Sequence, residues 1–217
     1  MAFGTFKSLE EVVRTYQVQL RQEAFVRPMA RPVDERFRER LEFLQANAPV
    51  SASEEAICEF LIAPVLQEVW LPYSDTLMIW SHVAFTADET LTGFPDYFFA
   101  KRSPLGPVRD RPYALFVAAK KDDFDAGWGQ CLAAMLAAQK VNDRPGQVIH
   151  GGVSNGRIWY IGKLEHQILT QDPRPFVLTE LTDLFAALNY VFAQAREQTL
   201  EASAAGSGGL DGGRACG

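Results

Sequence analysis

Five short runs of aliphatic and aromatic residues constrain the fold of this chain more than any other feature of its sequence. They cover residues 77–85, 97–100, 113–119, 148–153 and 157–161. Runs of this length and composition are typical of buried β-strands. The Gly-Phe-Pro-Asp segment at 93–96 and the Ser-Asn-Gly segment at 154–156 predict turns, and the second of these joins two strands in a hairpin.

Apolar residues at three- and four-residue spacing predict helices around these strands. The predicted helices span residues 5–24, 33–47, 54–70, 127–141 and 178–198. Pro64 lies inside the third helix, so we expect a kink or a break there. Strands and helices in this order predict an α/β fold, with a central mixed sheet of about five strands flanked by helices.

The length of 217 residues fits one globular domain with extensions better than two large domains. Residues 1–50 are predicted to form an N-terminal helical extension and residues 51–200 the main domain. The tail at 201–217 is rich in Ala, Gly and Ser and cannot bury enough apolar surface to order itself. We therefore expect the tail to be disordered.

The charge of the chain limits what it can bind. A net charge of −6 argues against a general binder of polyanions, because nonspecific affinity for nucleic acids comes largely from basic side chains. The segment at 101–111 is a local exception, with four basic residues and one acidic residue. This surplus matters if the segment borders a binding site, and otherwise the segment is a solvated loop.

Several classes of protein are disfavoured by what the sequence lacks. No apolar stretch has the length of a membrane span, and the N-terminus lacks the apolar region of a signal peptide. We therefore expect a soluble, cytoplasmic protein with no membrane contact. The three cysteines and three histidines are scattered without metal-binding spacing, which argues against a zinc site and against a disulfide framework.

Asp96 and Lys120 are predicted to lie at the ends of two neighbouring strands. Asp96 follows Pro95 at the start of one strand, and Lys120 follows the next apolar strand, 24 residues after Asp96. Side chains alternate along a strand, so Lys120 points to the same face as residue 118. A Mg²⁺-dependent phosphodiesterase needs acids from separate elements at one point, because the ion takes one or two carboxylates besides water and phosphate oxygens.

Four segments together resemble the PD-(D/E)XK, or restriction-endonuclease-like, nuclease superfamily in order and spacing. They are Ser-Glu-Glu-Ala-Ile-Cys-Glu-Phe-Leu-Ile-Ala-Pro (53–64), Gly-Phe-Pro-Asp-Tyr (93–97), Phe-Val-Ala-Ala-Lys-Lys-Asp-Asp-Phe (116–124) and Gly-Trp-Gly-Gln-Cys-Leu-Ala (127–133). The resemblance covers about two-thirds of the chain. It implies a restriction-endonuclease-like core, hydrolysis of DNA phosphodiester bonds with Mg²⁺ or Mn²⁺, and a possible homodimer, since many members of the family dimerise.

The resemblance also assigns roles to individual residues. It makes Asp96 a metal ligand and Glu54 the acid from the first helix that supports the metal or its water. Glu55 and Glu59 are alternatives to Glu54 on the same helix. Lys120 matches the lysine that orients or activates the attacking water and offsets charge on the phosphate.

Gln130 resembles a glutamine that some branches of the family place on the following helix, facing the site. Position 118 departs from the family pattern, because Ala118 stands where an Asp or Glu precedes the lysine by two residues. Three explanations compete: a natural pseudonuclease, a deliberately inactivated variant, or compensation by another acid. Asp122 is the candidate for compensation, but it would lie about 13 Å from position 118 along a continued strand, and we expect it in the following loop.

Two functions remain open, namely metal-dependent hydrolysis of DNA and non-catalytic nucleic-acid binding or regulation on the same fold. Metal binding favours the first function, and DNA binding that a chelator does not change favours the second.

A third possibility is an unrelated α/β enzyme. Residues 152–156 match the G-x-S-x-G pattern, but a nucleophile elbow needs a helix after its serine and a strand is predicted here. We interpret Ser154 as a hairpin-turn residue.

Overall fold

A mixed eight-stranded β-sheet with helices on both faces forms the fold, in a computed structural model that describes residues 3–144 and 146–207. The strands are β1 (Gln19–Gln22), β2 (Leu77–Ser81), β3 (Phe85–Thr86), β4 (Thr92–Gly93), β5 (Tyr97–Arg102), β6 (Arg109–Ala119), β7 (Ile149–Ser154), β8 (Ile158–Glu165), β9 (Ile168–Gln171) and β10 (Phe176–Val177). The helices are α1 (Leu9–Tyr16), α2 (Glu35–Asn47), α3 (Glu54–Ile57), α4 (Ala63–Trp70), α5 (Phe124–Asn142) and α6 (Leu181–Ser207).

The strands follow the order β1-β9-β8-β7-β6-β5-β2 across the sheet, and β10 pairs with β8. The β6–β7 and β1–β9 pairs are parallel, and the other pairs of the sheet are antiparallel. β3 and β4 form a separate two-stranded ribbon. The predicted α/β class and mixed sheet are therefore confirmed. The sheet has eight strands rather than about five, because β1, β9 and β10 are too short to produce a clear apolar run.

Side chains of the central strands alternate between two hydrophobic layers, one on each face of the sheet. On one face Phe98 and Phe116 stack at 5.7 Å between ring centroids, in the layer that includes α1 and α5. On the other face Phe99 meets Phe192 of α6 edge-on at 4.7 Å, in the layer that includes α2 and α4. Each of these four rings is almost fully buried, which stabilises the fold by roughly 1.5–3 kcal/mol per ring.

The N-terminal segment departs from the helix predicted over 5–24. α1 ends at Tyr16, Gln17 takes a left-handed conformation with φ of 54°, and β1 then pairs in parallel with β9. All four β1 residues are exposed and the strand lies at the sheet edge, so backbone pairing stabilises it rather than burial of apolar side chains. The apolar spacing that ends at Leu20 therefore extended the predicted helix too far.

The helix predicted over 54–70 does not end at Pro64, because the segment stays helical from Glu54 to Trp70. A π-helical turn, Cys58–Ile62, separates α3 from α4, and Pro64 lies in the first turn of α4, where its missing N–H is tolerated. One segment of the described chain, Glu54–Tyr73, is long and apolar enough to cross a membrane by length and composition alone. Its inward-facing leucines and valines are fully buried, so it packs here as a core helix.

Both ends of the chain join the main domain more closely than the predicted boundaries suggest. Phe6 and Val12 are buried in the same layer as α5, so residues from the predicted 1–50 extension pack directly on the core. α6 continues to Ser207, which makes residues 201–207 helical although disorder is predicted from 201 onward. The rest of that predicted tail, 208–217, lies outside the described residues.

His150 in β7 makes the stability of the fold depend on pH. Its side chain is 2% exposed, and its Nδ1 atom has no hydrogen-bond partner among the described residues. Burial lowers the pKa of His150 to about 4, and the charge of Lys163 lowers it further in the same direction. The unfolded chain therefore binds a proton more readily than the folded chain, so the stabilisation present above pH 6.5 is lost as the pH falls toward 4.

We expect His150→Leu to reduce this acid-dependent loss, since leucine has no proton to take up. The difference in the free energy of unfolding between pH 7 and pH 4 should shrink by on the order of 3 kcal/mol, measured by urea denaturation. His166→Asn, at an exposed histidine, is the control and should keep the original difference. An unchanged pH dependence in His150→Leu would assign the acid sensitivity to other groups.

Candidate functional site

The start of β5 and the end of β6 place Asp96 beside Lys120. The two strands are antiparallel, with Tyr97 opposite Val117, so the residue before β5 lies next to the residues that end β6. The Ala119 amide donates to Asp96 Oδ2 at 2.8 Å, which fixes the carboxylate against the strand end. The Lys120 amide donates to the carbonyl oxygen of Ser154 at 2.9 Å, which ties the same point to β7.

Glu54 reaches this corner from the first residue of α3. Ser53 caps the helix, because its Oγ atom accepts a hydrogen bond from the Ala56 amide at 3.1 Å. Lys120 Nζ donates to Glu54 Oε1 at 2.7 Å, and the lysine side chain is only 15% exposed. This ion pair shows which acid of the helix faces the strand end, whereas Glu55 and Glu59 do not line the adjacent cavity.

A cavity of about 170 Å³ gathers all four residues that the sequence singled out. Its lining includes Glu54, Asp96, Lys120 and Gln130, together with Ala118. The other lining residues are Phe3, Gly4, Phe94, Pro95, Phe116, Val117, Cys131 and Ala134. Phe3 and Gly4 had no signal in the sequence, because they come from a segment remote from every motif and reach the cavity through packing on α5.

The position of Ala118 leaves one side of the cavity without a carboxylate. Ala118 is 6% exposed and lies on β6 two residues before Lys120, on the same strand face. β6 ends at Ala119, and Asp122 lies exposed in the loop before α5. The expectation that Asp122 belongs to this loop is confirmed, and it does not line the cavity.

Gln130 brings a neutral amide to the cavity from the second turn of α5. The helix begins after Asp123, whose carboxylate accepts a hydrogen bond from the Ala126 amide at 3.0 Å. A Cβ atom added at Gly4 would lie 3.6 Å from Gln130 Nε2, so the amide packs close to the N-terminal segment. Within residues 3–144 and 146–207 no group hydrogen-bonds to this amide, which leaves it able to contact a ligand.

Burial raises the pKa of Asp96 above its ordinary value. The side chain is 20% exposed, and loss of hydration disfavours the carboxylate. The hydrogen bond from the Ala119 amide and the nearby Lys120 and His82 act in the opposite direction, while Glu54 adds to the rise. A second carboxylate close by and limited solvent make this a position where a bound cation would stabilise the charged form.

A second group of potential ligands lies on the other side of Asp96. One ligand atom each from Cys58, His82 and Asp96 lies within 4.8 Å of the others, and His82 Nε2 is 3.6 Å from Asp96 Oδ1. Burial raises the pKa of the Cys58 thiol to about 12. The spacing argument predicted no zinc site because it detects ligands that are close in sequence, whereas these three come from the π-helical turn, the end of β2 and the loop before β5.

The basic segment at 101–111 does not border this cavity. It joins the end of β5 to the start of β6, at the opposite end of the strand pair from Asp96 and Lys120. That end is roughly 17 Å away along β5, at about 3.3 Å per residue. There Arg102 donates to the carbonyl oxygen of Ser74, and Arg111 donates to that of Val141. The positive charges of this segment therefore lie outside the site.

Ser154 has a structural role in the hairpin of β7 and β8. Its Oγ atom accepts from the Gly156 amide at 2.8 Å and donates to the carbonyl oxygen of Ile158 at 3.0 Å. Gly156 takes a positive φ of 80°, as a turn at this point requires. A strand follows the serine, so its interpretation as a hairpin-turn residue rather than a nucleophile is confirmed.

No protein-family model matches the chain, and a search of curated proteins found no match. The grouping of Glu54, Asp96, Lys120 and Gln130 around one cavity is therefore the main basis for a functional assignment.

Proposed function

We propose that this chain carries the site of a metal-dependent nuclease of the PD-(D/E)XK type, with DNA phosphodiester bonds as its substrate. The observation that carries the proposal is the convergence of Asp96, Glu54, Lys120 and Gln130 on one cavity at the end of β5 and β6. These residues belong to the four segments that resemble the superfamily. The mixed sheet between helical layers is compatible with the restriction-endonuclease-like core that the resemblance implies.

The two carboxylates of the cavity are few, but they fit the number of protein ligands that Mg²⁺ or Mn²⁺ requires. Asp96 and Glu54 would hold the ion, and each has one carboxylate oxygen engaged, with the Ala119 amide and with Lys120 Nζ respectively. Mg²⁺ takes one or two carboxylates together with water and phosphate oxygens. When bound, the ion would supply an activated water and would neutralise charge on the phosphate.

The protein side chains supply positioning and charge in this proposal. Lys120, held by Glu54, would lie beside the attacking water and offset phosphate charge. The uncommitted amide of Gln130 would contact the substrate or its water. Ala118 contributes no ligand, so we infer that this chain binds the ion weakly and hydrolyses DNA slowly or not at all.

Ala118→Glu is expected to restore a third carboxylate at the cavity. We expect Mn²⁺ affinity, measured by calorimetry, to rise at least about tenfold, since even outer-shell partners change metal affinity by 10- to 100-fold. Cleavage of single- and double-stranded DNA, measured by gel electrophoresis in Mg²⁺ or Mn²⁺, should appear in the variant and vanish with a chelator.

Ala118→Gln is the matched control, because glutamine has the size of glutamate without its charge. Thermal unfolding of both variants separates a folding defect from a site effect, since the two side chains fill the cavity equally. Equal Mn²⁺ affinity and no cleavage in both variants would contradict the nuclease proposal and leave the binding module as the better hypothesis.

A non-catalytic nucleic-acid-binding or regulatory module is the second candidate, and the Glu54–Lys120 ion pair favours it. With a separation of 2.7 Å, the ammonium group already neutralises the acid that would otherwise attract a metal ion. The cavity is then stable without a cation, and binding needs no metal.

Glu54→Gln separates the two candidates. In a binding module it frees the charge of Lys120, so chelator-independent affinity for DNA should rise roughly two- to fivefold, the range that corresponds to loss of one partly exposed ion pair. In a metal-dependent nuclease it removes a ligand, so Mn²⁺ affinity should fall instead. Fluorescence anisotropy with labelled DNA and calorimetry with Mn²⁺ measure the two effects, and Glu55→Gln, at the neighbouring acid outside the cavity, should change neither.

A further inference from the structure

Cys58, His82 and Asp96 come from three separate segments and meet beside the cavity. Their sulfur, imidazole nitrogen and carboxylate oxygen atoms lie within 4.8 Å of one another. We propose that this cluster binds one Zn²⁺ ion through Cys58 Sγ, His82 Nε2 and Asp96 Oδ1. The proposal needs no phosphodiester hydrolysis and shares only Asp96 with the function proposed above.

The histidine is oriented as a metal ligand requires. Ser81 Oγ lies 2.8 Å from His82 Nδ1, which engages that nitrogen in a hydrogen bond and leaves Nε2 free. Nε2 faces Asp96 Oδ1 at 3.6 Å. Metal-binding histidines in proteins almost always have their second nitrogen held by such an outer partner, which fixes the tautomer and the ring direction.

The backbone around the cluster holds the other two ligands in place. The His82 amide donates to the Asp96 carbonyl oxygen at 3.0 Å, and Asp96 Oδ2 is engaged by the Ala119 amide, so Oδ1 is the oxygen that remains for an ion. Tyr97 Oη donates to the Cys58 carbonyl oxygen at 3.1 Å, which anchors the π-helical turn to β5. The ring of His82 packs edge-on against Tyr97 with 5.7 Å between centroids.

The distances suit a tetrahedral ion with small adjustments. Bonds of about 2.0–2.3 Å place neighbouring tetrahedral ligands about 3.3–3.8 Å apart, which includes the 3.6 Å between His82 and Asp96. The other separations in the cluster lie within 4.8 Å, so the ligand atoms would need to approach by at most about 1 Å, through rotation of side chains.

The chemistry of the donors selects the metal. Thiolate and imidazole ligands favour Zn²⁺ over Mg²⁺, which prefers oxygen ligands and near-octahedral geometry. Three protein ligands leave a fourth position on zinc for water or a substrate atom. The His82 side chain is 51% exposed, so solvent reaches the imidazole side of the cluster.

Co²⁺ binding tests the proposal, because cobalt replaces zinc and a cobalt–thiolate bond gives a near-ultraviolet charge-transfer absorption. The full-length, metal-free chain should bind one Co²⁺ with this absorption, and added Zn²⁺ should displace it. Cys58→Ser should abolish the absorption. His82→Asn and Asp96→Asn should lower Co²⁺ affinity by more than about tenfold, the lower end of the change caused by loss of an outer-shell partner.

Asparagine is a fitting replacement for His82, whose backbone has a positive φ of 53° that asparagine tolerates well. His166→Asn is its matched control, since His166 is exposed with a φ of 51° and lies outside the cluster. Cys131→Ala and Cys216→Ser are controls for the other thiols, and all three control variants should keep the absorption. Circular dichroism verifies the fold of each variant.

Absence of the absorption in the folded original chain, or its persistence in Cys58→Ser, would overturn the zinc proposal. Co²⁺ affinity that is the same in His82→Asn and His166→Asn would also overturn it. The nuclease proposal is tested separately by DNA cleavage in Ala118→Glu. Cleavage by that variant does not depend on the cobalt–thiolate absorption, so either proposal can fail while the other holds.

Discussion

The hydrogen bond from the Ala119 amide to Asp96 Oδ2 is the interaction on which the candidate site depends most. It forms because the β5–β6 register sets Tyr97 opposite Val117, which brings the residue before one strand beside the last residue of the other. The same strand end is tied to β7 through the Lys120 amide and to α3 through the Lys120 ammonium group. A shift of this register by one residue would turn each side chain to the opposite face and separate the four residues.

Local patterns in the sequence were sufficient to predict the central part of this arrangement. Long apolar runs identified β5 to β8, and the positions of Asp96 and Lys120 at strand ends followed from them. The sequence prediction chose Glu54, with Glu55 and Glu59 as alternatives, and the contact of Glu54 with Lys120 that distinguishes it arises only from tertiary packing. The π-helical turn that follows Ile57 was not predicted. The apolar periodicity that predicts helices assumes regular α-helical geometry, so it cannot predict a π-helical turn.

Features that arise only from tertiary contact were missed for a common reason. β1 is a four-residue edge strand with no buried side chain, so no apolar pattern in its sequence predicts its pairing with β9. Cys58 and His82 likewise approach Asp96 only after the π-helical turn packs on β5. Ligand spacing in the sequence detects metal sites whose ligands come from one local segment. It cannot detect ligands that the sheet brings together from three separate segments.

The two cation sites proposed for this chain compete for one atom, Asp96 Oδ1. On the side of Glu54 the ion would find oxygen ligands, but Ala118 leaves that set one carboxylate short and Lys120 already neutralises Glu54. On the side of His82 the ion would find nitrogen and sulfur ligands, which bind zinc more strongly than they bind magnesium. The raised pKa of Asp96 indicates that burial leaves its charge incompletely compensated. If both proposals hold, the absence of a carboxylate at position 118 favours a softer cation over a hard one at Asp96.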